Sequence, residues 1–281
     1  MSPAGAPRGR SNLVPLAALG AVLPVLLVAL LGPLVAPSLA AGSPTDQVGA
    51  PFGAPGPVHP LGTDVLGRDV VARVLTGGAS VVGLAAGATV LAGVAGLLLG
   101  VTAGTAPRRV GELLVRAVDV LAVVPALLVV LVLATGFPGS PAAVLVAIAL
   151  VSLPFSVRVN RAAAERINTA GYVETARARG DGWWRLLRHD LLPGIAPTAL
   201  SETGLRFVAA LYLTSTAGFL GLGAGPPAPD WGRMVAENLP GAALSPWPFL
   251  VPALLLVVLG VGVNLLVDDL AGRWASGVSD G

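Results

Sequence analysis

The chain has 281 residues, 54% hydrophobic and only 11% charged, with a mean hydropathy of +0.82. Soluble domains carry roughly 25% charged residues, so the composition excludes an ordinary soluble domain and points to an all-α integral membrane protein. Cysteine and lysine are absent, all 17 basic residues are Arg, and the net charge is +2; this removes disulfides, thiol nucleophiles and thiolate metal sites, and leaves no basic and aromatic stripe for nucleic acid.

Residues 1–12 form a short polar tail carrying Arg8 and Arg10. Residues 13–36 read as a first transmembrane helix, an apolar run containing Pro15, Pro24 and Pro33. The run is too long for a signal-peptide core, and no small-x-small site follows it, so the expectation is an uncleaved helix kinked at Pro24. Residues 37–80 read as a Pro- and Gly-rich surface loop ending in a short amphipathic helix, Asp64 to Leu75. Thr63 or Asp64 would cap that helix, and Asp69 and Arg73 would pair at i,i+4. His59 has no second His at ligand spacing, so no metal site is expected.

Residues 81–270 read as a five-helix core. Its spans are expected at Gly83 to Thr105, Ala117 to Ala134 with a kink at Pro125, Ala142 to Val157, Pro197 to Leu222, and Leu250 to Val267. Six spans of about 20 residues use roughly 120 residues, which leaves no room for a separate soluble catalytic domain. Glycines at four-residue spacing in the second span permit close helix packing. Glu202 and Arg206 form an ionisable pair inside the fifth span, a functional candidate by default; the plainer alternative is a mutually satisfied pair near the membrane boundary.

The longest polar interruption, residues 171–193, is GYVETARARGDGWWRLLRHDLLP. It reads as two short helices, Tyr172 to Arg179 and Trp183 to Leu192, broken at Gly180 and Gly182 and closed by Pro193. Such a knob suits a soluble partner; the plainer alternative is a charged connector whose arginines only fix topology. After the fifth span comes AGFLGLGAGPPAPDWGRMV, Ala217 to Val235. Its glycines are not a phosphate loop, which needs a Lys. Pro and Gly runs at membrane depth require cover by protein or a water cavity, and Trp231 and Trp247 are expected in an interfacial belt. A tail, 271–281, closes the chain.

Arginine placement selects the topology. One side of the membrane would hold Arg8, Arg10, Arg108, Arg109, Arg116, Arg158, Arg161, Arg166, Arg177, Arg179, Arg185, Arg188 and Arg273. The other would hold Arg68, Arg73 and Arg233. The positive-inside rule then puts both termini and the 171–193 loop in the cytoplasm, and the His59 and Trp231 stretches outside.

Three stretches resemble one family, the C-type permease subunits of dipeptide, oligopeptide and nickel ABC importers. Glu174-Thr175-Ala176, Gly180 and Leu192-Pro193 resemble the EAA coupling loop, with Thr175 and Asp190 departing from the usual pattern. The segment with His59, Gly62, Asp64, Gly67, Arg68 and Asp69 resembles HPLGTD-x-x-GRD. The segment with Phe219, Gly221, Gly223, Pro227, Trp231 and Gly232 resembles FLGLG-x-x-PP-x-P-x-WG, with Thr214 where members commonly carry Glu. The resemblance implies a type I importer permease fold with six transmembrane helices in the bacterial cytoplasmic membrane. It implies that Tyr172, Glu174, Ala176, Arg177, Gly180, Trp184, Leu192 and Pro193 couple to two ATP-binding subunits. It also implies a second permease subunit, an extracytoplasmic substrate-binding protein, ATP bound on the partner subunits, and no cofactor on this chain. The cargo class would be peptides or a related small solute, nickel chelates included.

Two rivals differ in kind. A secondary transporter should show acidic or His residues mid-span and an internal repeat; only the Glu202 and Arg206 pair answers to that. An intramembrane enzyme needs a nucleophile with a base, or a metal set, and Ser152, Ser156, Ser215 and the two histidines form neither.

Overall fold

The computed structural model describes the backbone of residues 13–40 and 42–279, and the side chains of 16–40, 42–176, 178–267 and Asp269. The tail 1–12 with Arg8 and Arg10, and the side chains of Arg177 and Arg273, lie outside the described residues. Among the described residues ten α-helices follow one another: α1 (Leu13–Leu39), α2 (Val70–Thr105), α3 (Arg108–Val123), α4 (Ala126–Gly136), α5 (Pro141–Asn168), α6 (Gly171–Ala178), α7 (Trp183–Leu186), α8 (Leu192–Phe219), α9 (Trp231–Asn238) and α10 (Trp247–Ser279). Among the described residues, extended pairing is limited to two isolated bridges, Gln47 with Arg68 and Thr63 with Asp69.

Among the described residues four helices are long and apolar enough to cross a membrane: α1, α2, α5 and α10. The pair α3 and α4, bent by 80°, is a candidate fifth span. Their polarity is inside-out relative to a soluble protein. On α1 the large residues Leu16, Leu23, Leu30 and Leu34 are exposed, while Ala18, Val22, Ala29 and Ala36 are buried. Lipid tails are as apolar as leucine, so small residues that let backbones approach are what an interface between spans needs.

Helix α2 is the axis of the bundle. At 36 residues it is roughly 54 Å long, well beyond the ~30 Å hydrocarbon layer. Its glycine stripe packs on α5 in parallel register: Gly87 faces Leu145, Gly96 faces Ser156, Gly100 faces Asn160 and Gly104 faces Ala164. A Cβ on Gly100 would sit 2.7 Å from the Asn160 Cβ and 2.8 Å from the Val157 carbonyl. The close approach expected of the small-residue stripe is therefore real. Helix α8 runs antiparallel to α5, with Glu202 beside Ser156. Helix α10 runs antiparallel to α8, with Gly204 against Val267 while Trp231, next to the end of α8, reaches the start of α2. Helix α1 meets α10 at Val22 and Gly262, and meets α2 so closely that a Cβ on Gly32 would overlap the Leu75 carbonyl.

The expected kink at Pro125 is a full break. Pro125 precedes α4 in an extended conformation, because its ring forbids the helical hydrogen bond there. Helix α3 is amphipathic: Arg108, Glu112 and Arg116 pair along one side, and Asp119 reaches Arg158 of α5 at 2.8 Å.

The expected amphipathic helix from Asp64 to Leu75 is not present. Residues 64–69 form a turn, and the helix begins at Val70 as the first turn of α2. Gly67 sits at φ +74, a left-handed conformation no α-helix contains. The Asp64 carboxylate accepts from the backbone N–H groups of Leu66 and Arg68, both at 2.9 Å, which competes with helix formation. Asp69, not Thr63 or Asp64, is the N-cap, accepting from the Val71 N–H at 3.1 Å.

Candidate functional site

The loop between α5 and α8 has one face built into the bundle and one left open. Val173 and Ala176 of α6, Leu186 of α7 and Leu191 are buried against Ala163 and Ala164 of α5, Val101 of α2 and Ile195 of α8. This apolar cluster fixes the loop to three helices. On the other face Tyr172, Trp183, Trp184, Arg179 and Arg185 are exposed, Trp184 at 69%. Asp181 lies between Arg179 at 3.6 Å and Arg185 at 3.5 Å, bracing the bend. Gly180 makes the bend possible at φ +82, where an L side chain is disfavoured by about 1–2 kcal/mol. Glu174 is exposed in the first turn of α6. Of the residues expected to act here, Tyr172, Glu174, Gly180 and Trp184 are exposed and Ala176 is buried.

Pro193 does not close the second helix. A π-helical turn, Leu187–Leu191, carries α7 directly into α8, and Leu192 and Pro193 lie in the first turn of α8. Because the helix is continuous here, Pro193 withholds a backbone N–H from it just after the π-turn, where the i→i−4 ladder is already broken: the Leu192 N–H donates to the Leu187 carbonyl. A π-turn admits the extra residue that re-aims the chain, and such turns concentrate at functional sites.

At the opposite end of α2 the charged segment folds into a buried network. Arg68 Nε lies 2.6 Å from Asp64 Oδ2, and its Nη2 lies 2.7 Å from Glu237 of α9. Arg73 is fully buried, with Nε 3.3 Å from the same Asp64 oxygen and Nη2 3.2 Å from Glu237. The Asn238 side chain accepts from the Val65 N–H at 2.9 Å. Gly62 at φ +72 and Gly67 touch the Gly53 and Gly49 carbonyls so closely that a Cβ would overlap them. The His59 Nδ1 lies 3.7 Å from the Asp69 carboxylate. Sequence reasoning missed Glu237, Asn238 and the destination of Arg73, because the partners are more than 160 residues apart.

The glycine-rich stretch after α8 is anchored from beneath. Trp231 is fully buried rather than interfacial: its Nε1 donates to the Val74 carbonyl at 2.8 Å, and its ring lies over Gly77 and Gly78 of α2. The belt expectation failed because these two glycines leave a slot that only a large flat side chain fills. Trp247 is 41% exposed, as a belt residue would be. Gly232 packs on the Ser215 carbonyl, and Gly221 and Gly223 turn the chain at φ +76 and +91. Phe219 and Pro227 are exposed. Asp230 caps α9 through the Arg233 N–H at 3.1 Å and accepts from Ser80 of α2 at 2.9 Å. Burial pushes the Asp230 carboxyl up, opposed by the Arg233 N–H, the Ser80 hydroxyl and the Arg233 charge. Arg233 donates to the carbonyls of Ala224 and Ala228, holding the connection in place. Ser80, Thr214, Asp230 and Arg233 line a cavity of about 350 Å³ beneath that connection.

Residues 96–275 match the family described as the binding-protein-dependent transport system inner membrane component. The chain belongs to this family. The permease is 36% identical over 211 residues to the di/tripeptide transport system permease protein DppC of Pseudomonas aeruginosa, covering 75% of this chain and 69% of that one. It is 30% identical over 257 residues to the probable D,D-dipeptide transport system permease protein DdpC of Escherichia coli, covering 91% and 86%. The fold is shared with two solved structures. One is an inward-facing MetNI methionine ABC transporter, at TM-score 0.51 and 19% identity over 68% of this chain and 93% of that chain. The other is an amino acid ABC transporter with histidines, at TM-score 0.52 and 18% identity over 69% and 90%.

Proposed function

We propose that this permease forms half of the translocation path of an ATP-driven importer of peptides or a related small solute, nickel chelates included, and that the 171–193 loop couples it to separate ATPase subunits. The observation that carries the coupling role is the two-faced loop: an apolar underside locked to α2, α5 and α8, and an exposed face of Tyr172, Trp183 and Trp184 with arginines around them. Aromatic and Arg side chains supply most of the binding energy at protein interfaces, and a surface fixed to three helices transmits displacement. The relatives named as peptide permeases support the cargo class.

Six crossings with both termini in the cytoplasm fit the helix register. Helices α2 and α5 run parallel, so the α3 and α4 pair between them must return the chain across the bundle. Helix α8, 28 residues long despite Glu202 and Arg206, supplies the next crossing. The loop then lies on the ATP side, and the Asp64 and Trp231 regions face outward, toward a substrate-binding protein. The remaining partners are two ATP-binding subunits, a second permease of different sequence, and lipid; ATP binds the partner subunits.

The test is retention of ATPase subunits on permease purified from native membranes. Gly180→Pro cannot adopt φ +82, and Glu174→Arg reverses a charge on the exposed face. Both variants should insert normally yet lose ATPase subunits and transport. Undiminished retention by both would make the loop a charged connector and reopen the ion-driven transporter.

A further inference from the structure

The buried polar cluster between α5 and α8 is not used by the coupling surface, yet it is built between the two helices that flank it. Glu202 is 5% exposed. Its Oε1 lies 2.9 Å from Arg206 Nε, and its Oε2 accepts from the Ser156 hydroxyl at 3.1 Å. Ser156 is fully buried, and Asn160 Nδ2 donates to its carbonyl at 2.9 Å and to its Oγ at 3.3 Å. Arg206 reaches back across the same seam to lie 5.0 Å from the centre of the Phe155 ring. On the third side Gly96 and Gly100 of α2 close directly onto Ser156 and Asn160. The cluster thus sits beside α8 where α2 and α5 approach closely.

Its position relative to the prolines gives it a mechanical meaning. Pro154 lies on the far side of Ser156 from the loop; between Ser156 and the end of α5 there is no proline, and this arm of twelve residues is continuous helix of roughly 18 Å. Helix α8 is weaker on its way up from the loop. It follows a π-turn, and both Pro193 and Pro197 lie in its first turns, where each lacks a backbone N–H. Helices bend at such points. Glu202 stands beyond all of them. Displacement of the loop therefore reaches the upper part of α8 by the stiff route, up α5 and across from Ser156 to Glu202.

We propose that Ser156 and Glu202 are positioning residues for energy coupling: they form the clamp through which movement of the 171–193 loop is delivered to α8 above its proline-weakened base. This rests on the coupling role proposed for the loop. Arg206 holds the Glu202 carboxylate in place, and Asn160 orients the Ser156 hydroxyl.

The test uses the full importer in lipid nanodiscs and proteoliposomes, reading ATPase retention, ATP hydrolysis and solute moved per ATP. Ser156→Ala removes one hydroxyl and should fold and assemble as the wild type does; Glu202→Ala removes the acceptor. Both should retain ATPase subunits and hydrolyse ATP, while solute moved per ATP falls by about tenfold, the low-end population ratio of one charge-assisted hydrogen bond. Glu202→Gln keeps an acceptor oxygen for Ser156 and should recover most of the ratio. A merely structural role would lower stability without changing the ratio. A ratio within twofold of wild type in Ser156→Ala overturns the clamp, even if Glu202→Ala fails to assemble. Failure of the coupling role itself reads differently: Gly180→Pro and Glu174→Arg would keep their ATPase subunits, and the clamp would fall with it.

Discussion

Neutralising Asp64 should be far more damaging than its position in a loop suggests. The carboxylate is fully buried, accepts from three donors, Arg68 Nε at 2.6 Å and the backbone N–H groups of Leu66 and Arg68 at 2.9 Å, and pairs with the Arg73 charge, whose Nε lies 3.3 Å away. Asp64→Asn keeps an oxygen for the two backbone groups but removes the charge. Arg73 would then share a single carboxylate, Glu237, with Arg68. Breaking a buried ion pair by removing one partner costs about 3–5 kcal/mol. At roughly 2–4 °C per kcal/mol for a chain approaching this size, thermal unfolding in detergent should move down by roughly 6–20 °C. Asp64→Ala also strips the acceptor from the two N–H groups and should lose about a further 1–3 kcal/mol. The double variant Asp64→Asn with Arg73→Met removes the orphaned charge as well and should recover at least half of the loss. A control lies at the bundle's other end: Asp119→Asn breaks the exposed pair with Arg158, and such pairs are worth about 0–1 kcal/mol. An Asp64→Asn melting temperature within 2 °C of the Asp119→Asn control, or a double variant worse than the single, would refute the argument that this network holds the end of α2.

Two further outcomes follow from the packing. Gly100→Val would push its branches into the Asn160 Cβ and Val157 carbonyl; overpacking at such a site costs about 1–3 kcal/mol, and the melting temperature should fall while Gly83→Val, which meets nothing within 4 Å, leaves it unchanged. Asp230 gives a pH dependence. Its folded pKa is raised by burial, so its contribution to stability is fully present below its unfolded pKa and is lost as pH rises through the raised folded value. Asp230→Asn keeps the cap on α9, and its melting temperature should lack that decline; equal slopes in the two proteins would count against a buried carboxyl there.

The sequence carried the fold where a single segment decides its own structure. Apolar runs of about 20 residues have few solutions in lipid, and the glycine stripe of α2 announced its close contact with α5. The two-helix loop was legible for the same reason: Gly180 can hold a backbone that its neighbours cannot. What stayed hidden depended on pairs distant in the chain. The alternating charges of residues 64–73 suit an amphipathic helix when only i,i+4 partners are considered, but Arg68 and Arg73 share Asp64 with a second carboxylate, Glu237, and no local rule reaches it. Trp231 was misplaced by a sound rule about interfaces, because the slot over Gly77 and Gly78 exists only after α2 and α9 have met. Pro193 read as a stop because prolines often follow helices; a continuous helix admits it where a π-turn has already broken the ladder, and only that turn decides between them.

The two buried polar clusters differ in what they join, and this bears on how the molecule can move. The Asp64, Arg68, Arg73 and Glu237 network fastens the loop before α2 to α9, while Trp231 and Asp230 fasten α9 to α2 through Val74 and Ser80. Gly218 and Gly232 then pin the end of α8 to the same corner, with no room for even a Cβ between them and their neighbours. These contacts tie the loop before α2, α9, the start of α2 and the end of α8 to one another. The cluster at Ser156 and Glu202 is a polar joint between α5 and α8 below that end. If the loop couples to ATPase subunits as proposed, a push on it would be taken up α5 and passed across this joint to α8, and the tied end would follow as a tilt and not as a deformation.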